Sequence, residues 1–427
     1  MKFMGMSITP SSPGTLSERG QIRILIVCAL VALCDGYDTQ AVAFIAPAII
    51  SQWDIASSAF GPVFSSGLAG LAIGAFACGP IADRWGRKIV IMLCIATFGV
   101  ASIATTWSTT IFELAAWRAV TGIGLGGVLP NLITATNEAA SARFKKVAVM
   151  LMICGFPLGA TFAGFVGAPL IEWGGWKTIL ILGGIIPLAL LPALHLVLPP
   201  KTRPSLPENQ AADESRIAAL STEAFGVTAL FTDGLAIPTI LIWTAFFSNL
   251  LVLYCLMNWL PALLSLGGSS LSVATLCTAL LNLGGVAGAL SFAQFINRPR
   301  FSLYLATAYI GCILCILVIV YRAEETGLLM VSAAFAGGVV IGGQMAMNAL
   351  AASLYPDGIR STGVGWALGF GRIGSIAGPL AGSALIDRGW QGTSPLLAAS
   401  LPLVVAALAL VSLWITLRRS GIFAPAS

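Results

Sequence analysis

Charge is what this sequence has least of. Asp, Glu, Lys and Arg make up 9% of its 427 residues, against about a quarter in soluble domains, so a water-facing surface of ordinary extent cannot be built from it. Histidine occurs once, at His195 near the end of an apolar run, where it reads as an interfacial residue. No cluster with metal-ligand spacing and no phosphate-binding glycine loop is found, and no constellation of catalytic side chains, so neither a cofactor or metal nor enzymatic activity is expected. The nine cysteines all fall inside apolar runs, which excludes a disulfide framework of the secreted kind. Cys312 and Cys315 form a CxxC, but in an apolar span they read as small packing residues. Residues 1–22 are polar and read as a tail, with no cleavable leader expected before the first apolar run.

What the sequence has in abundance is apolar length. Hydrophobic residues make up 57% of the chain and glycines number 47; mean hydropathy is +0.93. Apolar runs fall at roughly 24–49, 59–82, 89–107, 110–136, 147–170 and 178–198, and again at 235–264, 271–296, 302–321, 327–353, 361–386 and 394–417. Each is long enough for a helix to cross a bilayer core about 30 Å thick. The expectation is an all-α integral membrane protein of twelve transmembrane helices. Its parts would be a cytoplasmic tail (1–22), a six-helix half (23–198), a charged middle loop (199–233), a second six-helix half (234–417) and a short tail (418–427).

The basic residues set orientation. Of the 22, 17 lie in segments that share one face if the N-terminus is cytoplasmic. Lys177, Arg322 and Arg388 fall on the other side, while Arg118 and Arg372 lie within spans. This positive-inside bias predicts cytoplasmic termini in a bacterial inner (plasma) membrane and accounts for the pI near 8.8 without a nucleic-acid partner.

The halves also resemble each other at an offset of 215 residues. Gly167-Ala-Pro-Leu-Ile-Glu172-Trp-Gly174 matches Gly382-Ser-Ala-Leu-Ile-Asp387-Arg-Gly389, Gly159 falls on Gly374, and Lys145 falls on Arg360. Two parallel six-helix pseudo-repeats are a transporter architecture with the substrate held between them. Charge breaks the symmetry, because Asp35, Asp38 and Arg118 map onto Leu250, Leu253 and Ala333. Proton handling is therefore expected in the first half.

Asp35 and Asp38, within Leu33-Cys34-Asp35-Gly36-Tyr37-Asp38-Thr39-Gln40, lie deep in the first run. Asp35 is about 18 Å along the helix from Arg23, near mid-membrane, where carboxylates are costly and usually functional. Three residues apart, the two acids share a helix face and resist ionising together, which suits proton carriers that titrate as a coupled pair. Arg118, about 12 Å into span four, reaches similar depth. It could bind a substrate carboxylate or take part in proton coupling, or it could form a structural ion pair with Asp35, Asp38 or Glu138. Arg372 in span eleven invites the same reading, or a pairing with backbone carbonyls. Tyr254 and Asn258, four apart in span seven, and Gln344 and Asn348, four apart in span ten, are candidate cavity-lining residues. Pro261 is expected to break span seven locally, and Trp259 could be an interfacial belt residue.

Gly79-Pro80-Ile81-Ala82-Asp83-Arg84-Trp85-Gly86-Arg87-Lys88, between spans two and three, needs Gly86 for its turn and fits the G-x-x-x-D-R-x-G-R-[RK] signature of the major facilitator superfamily. The chain resembles that superfamily, which implies its fold and a latch role for Asp83, with Arg84 and Arg87 beside it. Asn137, Glu138 and Arg143 resemble the charge-relay group that superfamily members place next to this loop. The second-half counterpart, Asn297-Arg298-Pro299-Arg300, lacks the acid. Span five only partly matches the Gly/Pro signature of drug antiporters, and the Pro-Glu-Ser-Pro-Arg of sugar transporters is absent.

A finer resemblance follows from Asp35-Gly36-Tyr37-Asp38, Asn258-Trp259-Leu260-Pro261, Gly126-Gly-Val-Leu-Pro130-Asn131, Ile359-Arg360-Ser-Thr-Gly363-Val-Gly365 and Gly371-Arg372-Ile-Gly-Ser-Ile-Ala-Gly-Pro379. These are similar to the aromatic acid:proton symporters, with spans four and seven most like phenylpropionate-type carriers. The resemblance implies a monomeric importer of a benzoate-, hydroxybenzoate- or phenylpropionate-like carboxylate, coupled to protons. Transport of another organic anion, or export, is the alternative. A receptor of the same fold is a third reading, disfavoured because no signalling domain is recognisable.

Overall fold

The computed structural model describes residues 18–198 and 227–419, except 142, 143, 233, 297, 299 and 357. Among these residues the chain forms thirteen α-helices. The first seven are α1 (Glu18–Trp53), α2 (Phe60–Trp85), α3 (Arg87–Thr105), α4 (Ile111–Ala139), α5 (Lys145–Ile153), α6 (Gly155–Gly174) and α7 (Trp176–Val197). After the charged middle segment come α8 (Ala236–Leu266), α9 (Leu271–Ala293), α10 (Phe301–Tyr321), α11 (Thr326–Leu354), α12 (Arg360–Asp387) and α13 (Ser400–Arg419). Eleven stretches among the described residues are long and apolar enough to cross a membrane. The helix α12 is 28 residues long, but its glycines, serines and Arg372 lower its hydropathy.

Local chemistry explains the joints. Gly86 has φ of 95° and ends α2 in the sharp turn to α3, as the motif requires, and Gly175 at φ 75° separates α6 from α7. The expected fifth run is broken at Cys154 into α5 and α6. Pro157 cannot donate to the Ile153 carbonyl, so it sits in the first turn of a new helix, where no such bond is needed. The last run is likewise divided, with a 3-10 segment at Ser394–Ala399 ahead of α13.

Close helix approach rests on missing side chains. A Cβ on Gly122 of α4 would lie 2.1 Å from the Gly67 carbonyl oxygen of α2, and one on Gly337 of α11 would lie 1.8 Å from that of Leu281 in α9. Gly159, against Leu33 of α1, and Gly374, against Phe247 of α8, are equally closed, at 1.9 and 2.2 Å. In water-free surroundings helices associate through this kind of packing rather than through the hydrophobic effect. The pairings α2 with α4, α1 with α6 and α3 with α7 recur after the middle segment as α9 with α11, α8 with α12 and α10 with α13. The helices α4 and α11 begin and end 215 residues apart.

Helices before and after the middle segment meet where α2 begins and α12 ends. Ser383 Oγ donates to the Ser58 carbonyl and Ser65 Oγ to that of Ile376 at 2.8 Å, while Gly164 of α6 faces Ala279 of α9. The larger apolar core spans this seam. A smaller core, around Cys28, Ile91, Val128 and Leu194, lies entirely within the first half, toward the Gly86 turn.

Candidate functional site

The site begins with Gly36. A Cβ there would lie 1.9 Å from the Phe156 carbonyl oxygen, so α1 can press against α6 only because position 36 is glycine. That contact sets the rotation of α1 and turns its two acids inward; Asp35 is 1% exposed and Asp38 fully buried.

The two carboxylates have unlike surroundings. Asp38 Oδ2 accepts from Arg118 Nη1 at 3.0 Å, and Oδ1 accepts from Ser102 Oγ at 2.7 Å. Arg118 Nη2 also donates to the Asp38 main-chain oxygen at 3.3 Å. Asp38 is therefore charge-balanced and fixed to α3 and α4 at once. Asp35 Oδ1 receives a long 3.4 Å bond from Thr39 Oγ1, and its Oδ2 has no partner. Of the ion pairs open to Arg118, the fold forms the one with Asp38. Glu138 instead meets Arg87, Oε1 to Nε at 3.1 Å, on the half-exposed edge between α3 and α4.

Arg118 is only 3% exposed, and its Nε donor is unpartnered. Beside it lies Gly67, where even a Cβ would be no nearer than 4.0 Å to that nitrogen. Both residues line a cavity among α1, α2, α4 and α8 that is narrow in this conformer, about 20 Å³, with room for a water-sized group rather than a ring. Its walls are mainly apolar, including Val42, Val63, Phe64, Leu68 and Met257; the polar groups are Thr39, Gln40, Arg118, Tyr254 and Asn258.

Tyr254 and Asn258 share one face of α8 and line this cavity. Asn258 Nδ2 donates to the Tyr254 carbonyl at 2.8 Å. The expected break at Pro261 does not occur: α8 runs unbroken from Ala236 to Leu266. The Met257 carbonyl, left without an intrahelical donor by the proline, accepts from Gln40 Nε2 of α1 at 2.7 Å. Trp259 is not a belt residue either. It is fully buried, donates from Nε1 to the Pro379 carbonyl at 3.0 Å and packs edge-on against Phe64.

Arg372 is half-buried on α12, with Nη1 3.4 Å from the Tyr254 hydroxyl. Gln344 and Asn348 are bonded to each other and tied to Asn249, whose Oδ1 accepts from Tyr309. They form a separate polar network in the second half and are not among the residues lining the described cavity. Arg84 is exposed at the end of α2. The side chain of Asp83, all of Arg143 and residues 199–226 of the middle loop lie outside what the structure describes. Ser102, Thr39, Gln40, Asn249 and Tyr309 are the residues that sequence reasoning passed over. Their signal was polarity inside apolar runs, and Gln40 closes the very stretch that holds the two acids.

A family model described as Major Facilitator Superfamily matches residues 28–345. The chain belongs to the major facilitator superfamily. Within it, the chain is similar to several aromatic-acid transporters. A gallate transporter of Pseudomonas putida is 38% identical, covering 91% of each chain. A 3-(3-hydroxy-phenyl)propionate transporter of Escherichia coli is 37% identical over 96% of this chain and 98% of the other. A 4-hydroxybenzoate transporter of Pseudomonas aeruginosa is 35% identical over 92% of each. Identity to the gallate carrier, at 38%, is one percentage point above that to the phenylpropionate carrier, at 37%. Among solved structures, this facilitator superposes on a bacterial homolog of the human lysosomal transporter Spinster, inward-facing and unoccupied, with a TM-score of 0.75 at 17% identity, covering 96% of this chain and 100% of the other. A D-xylose-proton symporter gives 0.72 at 16% identity, covering 92% and 97%. These two likenesses concern the fold.

Proposed function

We propose that this facilitator imports an aromatic carboxylate together with protons by alternating access. The observation that carries the reading is Arg118: a buried guanidinium with an unpartnered Nε, at the wall of a mainly apolar cavity. Its Nη groups are engaged by Asp38, and the Nε edge is left for a second carboxylate, the geometry arginine binds best. Once the halves move and the narrow cavity widens, an aromatic ring would lie against Phe64, Leu68 and Met257, with Tyr254 and Asn258 facing it from α8.

Charge balance then requires the proton. The two acids Asp35 and Asp38 are matched by the two cations Arg118 and Arg372, the latter beside the cavity-lining Tyr254, so the empty site carries no net charge. A substrate carboxylate adds a negative charge to a site with little water, which costs several kcal/mol unless neutralised. A proton on Asp35, whose free oxygen makes no bond, or on Asp38 removes that cost. One proton makes entry electroneutral; a second would couple uptake to the membrane potential at about 2.3 kcal/mol per 100 mV.

The architecture we infer has twelve crossings, counting α5 with α6 as one and including α12, in two six-helix pseudo-repeats (23–198 and 234–417). The 215-residue register of α4 and α11 and the matching roles of Gly159 and Gly374 support this. The positive-inside bias supports cytoplasmic termini in a bacterial inner membrane. In that orientation the seam at Ser58, Ser65 and Ser383 is external, so this conformer is closed outward. Asp83, Arg84, Arg87, Glu138 and Arg143 would form the cytoplasmic gate, and Arg372 would help hold the anion. Gln344 and Asn348 would join the site from the second half as the halves close. The protein would work as a monomer, because each half finds its partner within the chain.

The test is uptake of labelled benzoate, hydroxybenzoates, phenylpropionates and a sugar into sealed proteoliposomes under an inward proton gradient. Accumulation of an aromatic acid that a protonophore abolishes supports the proposal. Sealed vesicles of folded protein that accumulate none of these acids overturn it and move export or another anion to the front.

A further inference from the structure

We infer that Gln40 selects substrates bearing a ring hydroxyl, by presenting a hydrogen-bond acceptor fixed in the cavity wall. The inference rests on the proposed transport of aromatic carboxylates and adds a feature the cargo must have. Its origin is Pro261. A proline has no N–H, so the carbonyl four residues earlier, that of Met257, loses its helical donor. Gln40, 1% exposed, reaches across from α1 and donates its Nε2 to that oxygen at 2.7 Å. A carbonyl can only accept, so the amide has one possible orientation, with its nitrogen on Met257 and Oε1 turned away.

That Oε1 is buried and has no partner, and Gln40 lines the same cavity as Arg118. A buried acceptor left unpaired is a standing cost that a ligand donor relieves. The cavity thus offers two unmatched groups of opposite kind, an N–H on Arg118 and an oxygen on Gln40. A ligand that matches both carries a carboxylate at one position and an O–H at another. Unsubstituted benzoate satisfies Arg118 and leaves Gln40 unpaired. A methoxy group in place of the hydroxyl brings a second acceptor against the first. Specificity arises here because the site holds a buried polar group that the wrong substrate leaves unsatisfied.

The experiment is proton-driven uptake into proteoliposomes of benzoate and of each hydroxy- and methoxybenzoate isomer, with wild-type protein and with Gln40→Met and Pro261→Ala. Wild-type protein is expected to favour at least one hydroxybenzoate over both benzoate and the matching methoxy acid by about tenfold or more. Gln40→Met, of similar length, should bring the hydroxy-to-benzoate ratio toward one, whatever happens to the absolute rate. Pro261→Ala returns a helical donor to Met257 and leaves Gln40 free to turn, so it should lower the same ratio with the glutamine still present. A merely structural role for Gln40 would reduce uptake of all substrates alike. Equal uptake of hydroxylated and unsubstituted acids by wild type, or an unchanged ratio in Gln40→Met, overturns the inference while leaving aromatic-acid transport standing. Absence of uptake of every aromatic acid overturns the transport proposal itself.

Discussion

Removing the carboxylate of Asp38 should damage this protein more than removing its partner. In Asp38→Leu, the Arg118 guanidinium stays 3% exposed and loses its counter-ion and its 3.0 Å bond to Oδ2. An uncompensated buried charge of this kind costs about 3–5 kcal/mol, and arginine cannot shed its proton to escape. Ser102 loses an acceptor too, but its hydroxyl still lies 3.1 Å from the Leu180 carbonyl, so its share is small. Arg118→Leu leaves Asp38 with the Ser102 bond and the option of taking a proton, so it should cost less. The double variant removes both charges and should recover most of the stability lost by Asp38→Leu, because apolar pairs commonly replace buried ion pairs at little cost. Thermal unfolding of purified protein in one detergent, compared across the four forms, reads the cycle. The expected order of stability places wild type and the double variant above Arg118→Leu, with Asp38→Leu lowest, and all three variants without proton-driven uptake. If the double variant is as unstable as the two single effects added together, the residues do not interact and the account of the site is wrong.

Three further outcomes follow from the geometry. A Cβ on Gly61 would lie 2.3 Å from that of Ser383, so Gly61→Leu should pry open the seam between α2 and α12. Labelling of Val63→Cys by an impermeant thiol reagent applied outside should then rise, and unchanged labelling would refute the closed seam. The Arg87–Glu138 pair is partly exposed, at 32% and 59%, so Glu138→Ala should cost at most ~1 kcal/mol of stability yet slow uptake at least severalfold if the pair belongs to the gate; wild-type uptake removes it from that role. Trp259→Phe keeps the packing against Phe64 but drops the bond to Pro379, at a cost of about 1–2 kcal/mol, whereas Trp259→Ala should cost about 3–5 kcal/mol. Equal shifts in unfolding temperature for the two would contradict the buried placement of this ring.

The helices and the charged core of the site were legible in the sequence because both are expensive to place in lipid. Long apolar runs have no other use at this hydropathy, and Asp35, Asp38 and Arg118 stand out where a charge has no business unless it is paired. The Asp38–Arg118 pair could be foreseen from depth alone, as one of several. Which of the two acids would hold the arginine could not, since helix rotation decides it, and rotation is set by Gly36 pressing on Phe156 of a helix over a hundred residues away. Pro261 misled for a related reason. A proline deletes one donor, and in isolation that disrupts a helix, but here Gln40 from another helix supplies the missing bond and α8 continues. The kink at Cys154 went unseen because hydropathy does not change there. Gln344 and Asn348 have the spacing of cavity residues, yet Asn249 and Tyr309 hold them in a network of their own, and no one-dimensional pattern distinguishes a polar pair facing a cavity from one facing its neighbours.

Proton coupling through the unpartnered carboxylate is the central claim, and two assays on one variant test it most directly. Asp35→Asn keeps the size and much of the polarity of the side chain but cannot bind and release a proton in a transport cycle. Sealed proteoliposomes of wild type and variant would be compared for accumulation of a labelled aromatic acid under a proton gradient, and for exchange of that acid against the same acid inside, with no gradient. The account predicts that the variant loses gradient-driven accumulation and keeps exchange, since Arg118, held in place by Asp38, still binds the anion and the halves still rock. Gradient-driven accumulation at the wild-type level in Asp35→Asn would contradict it.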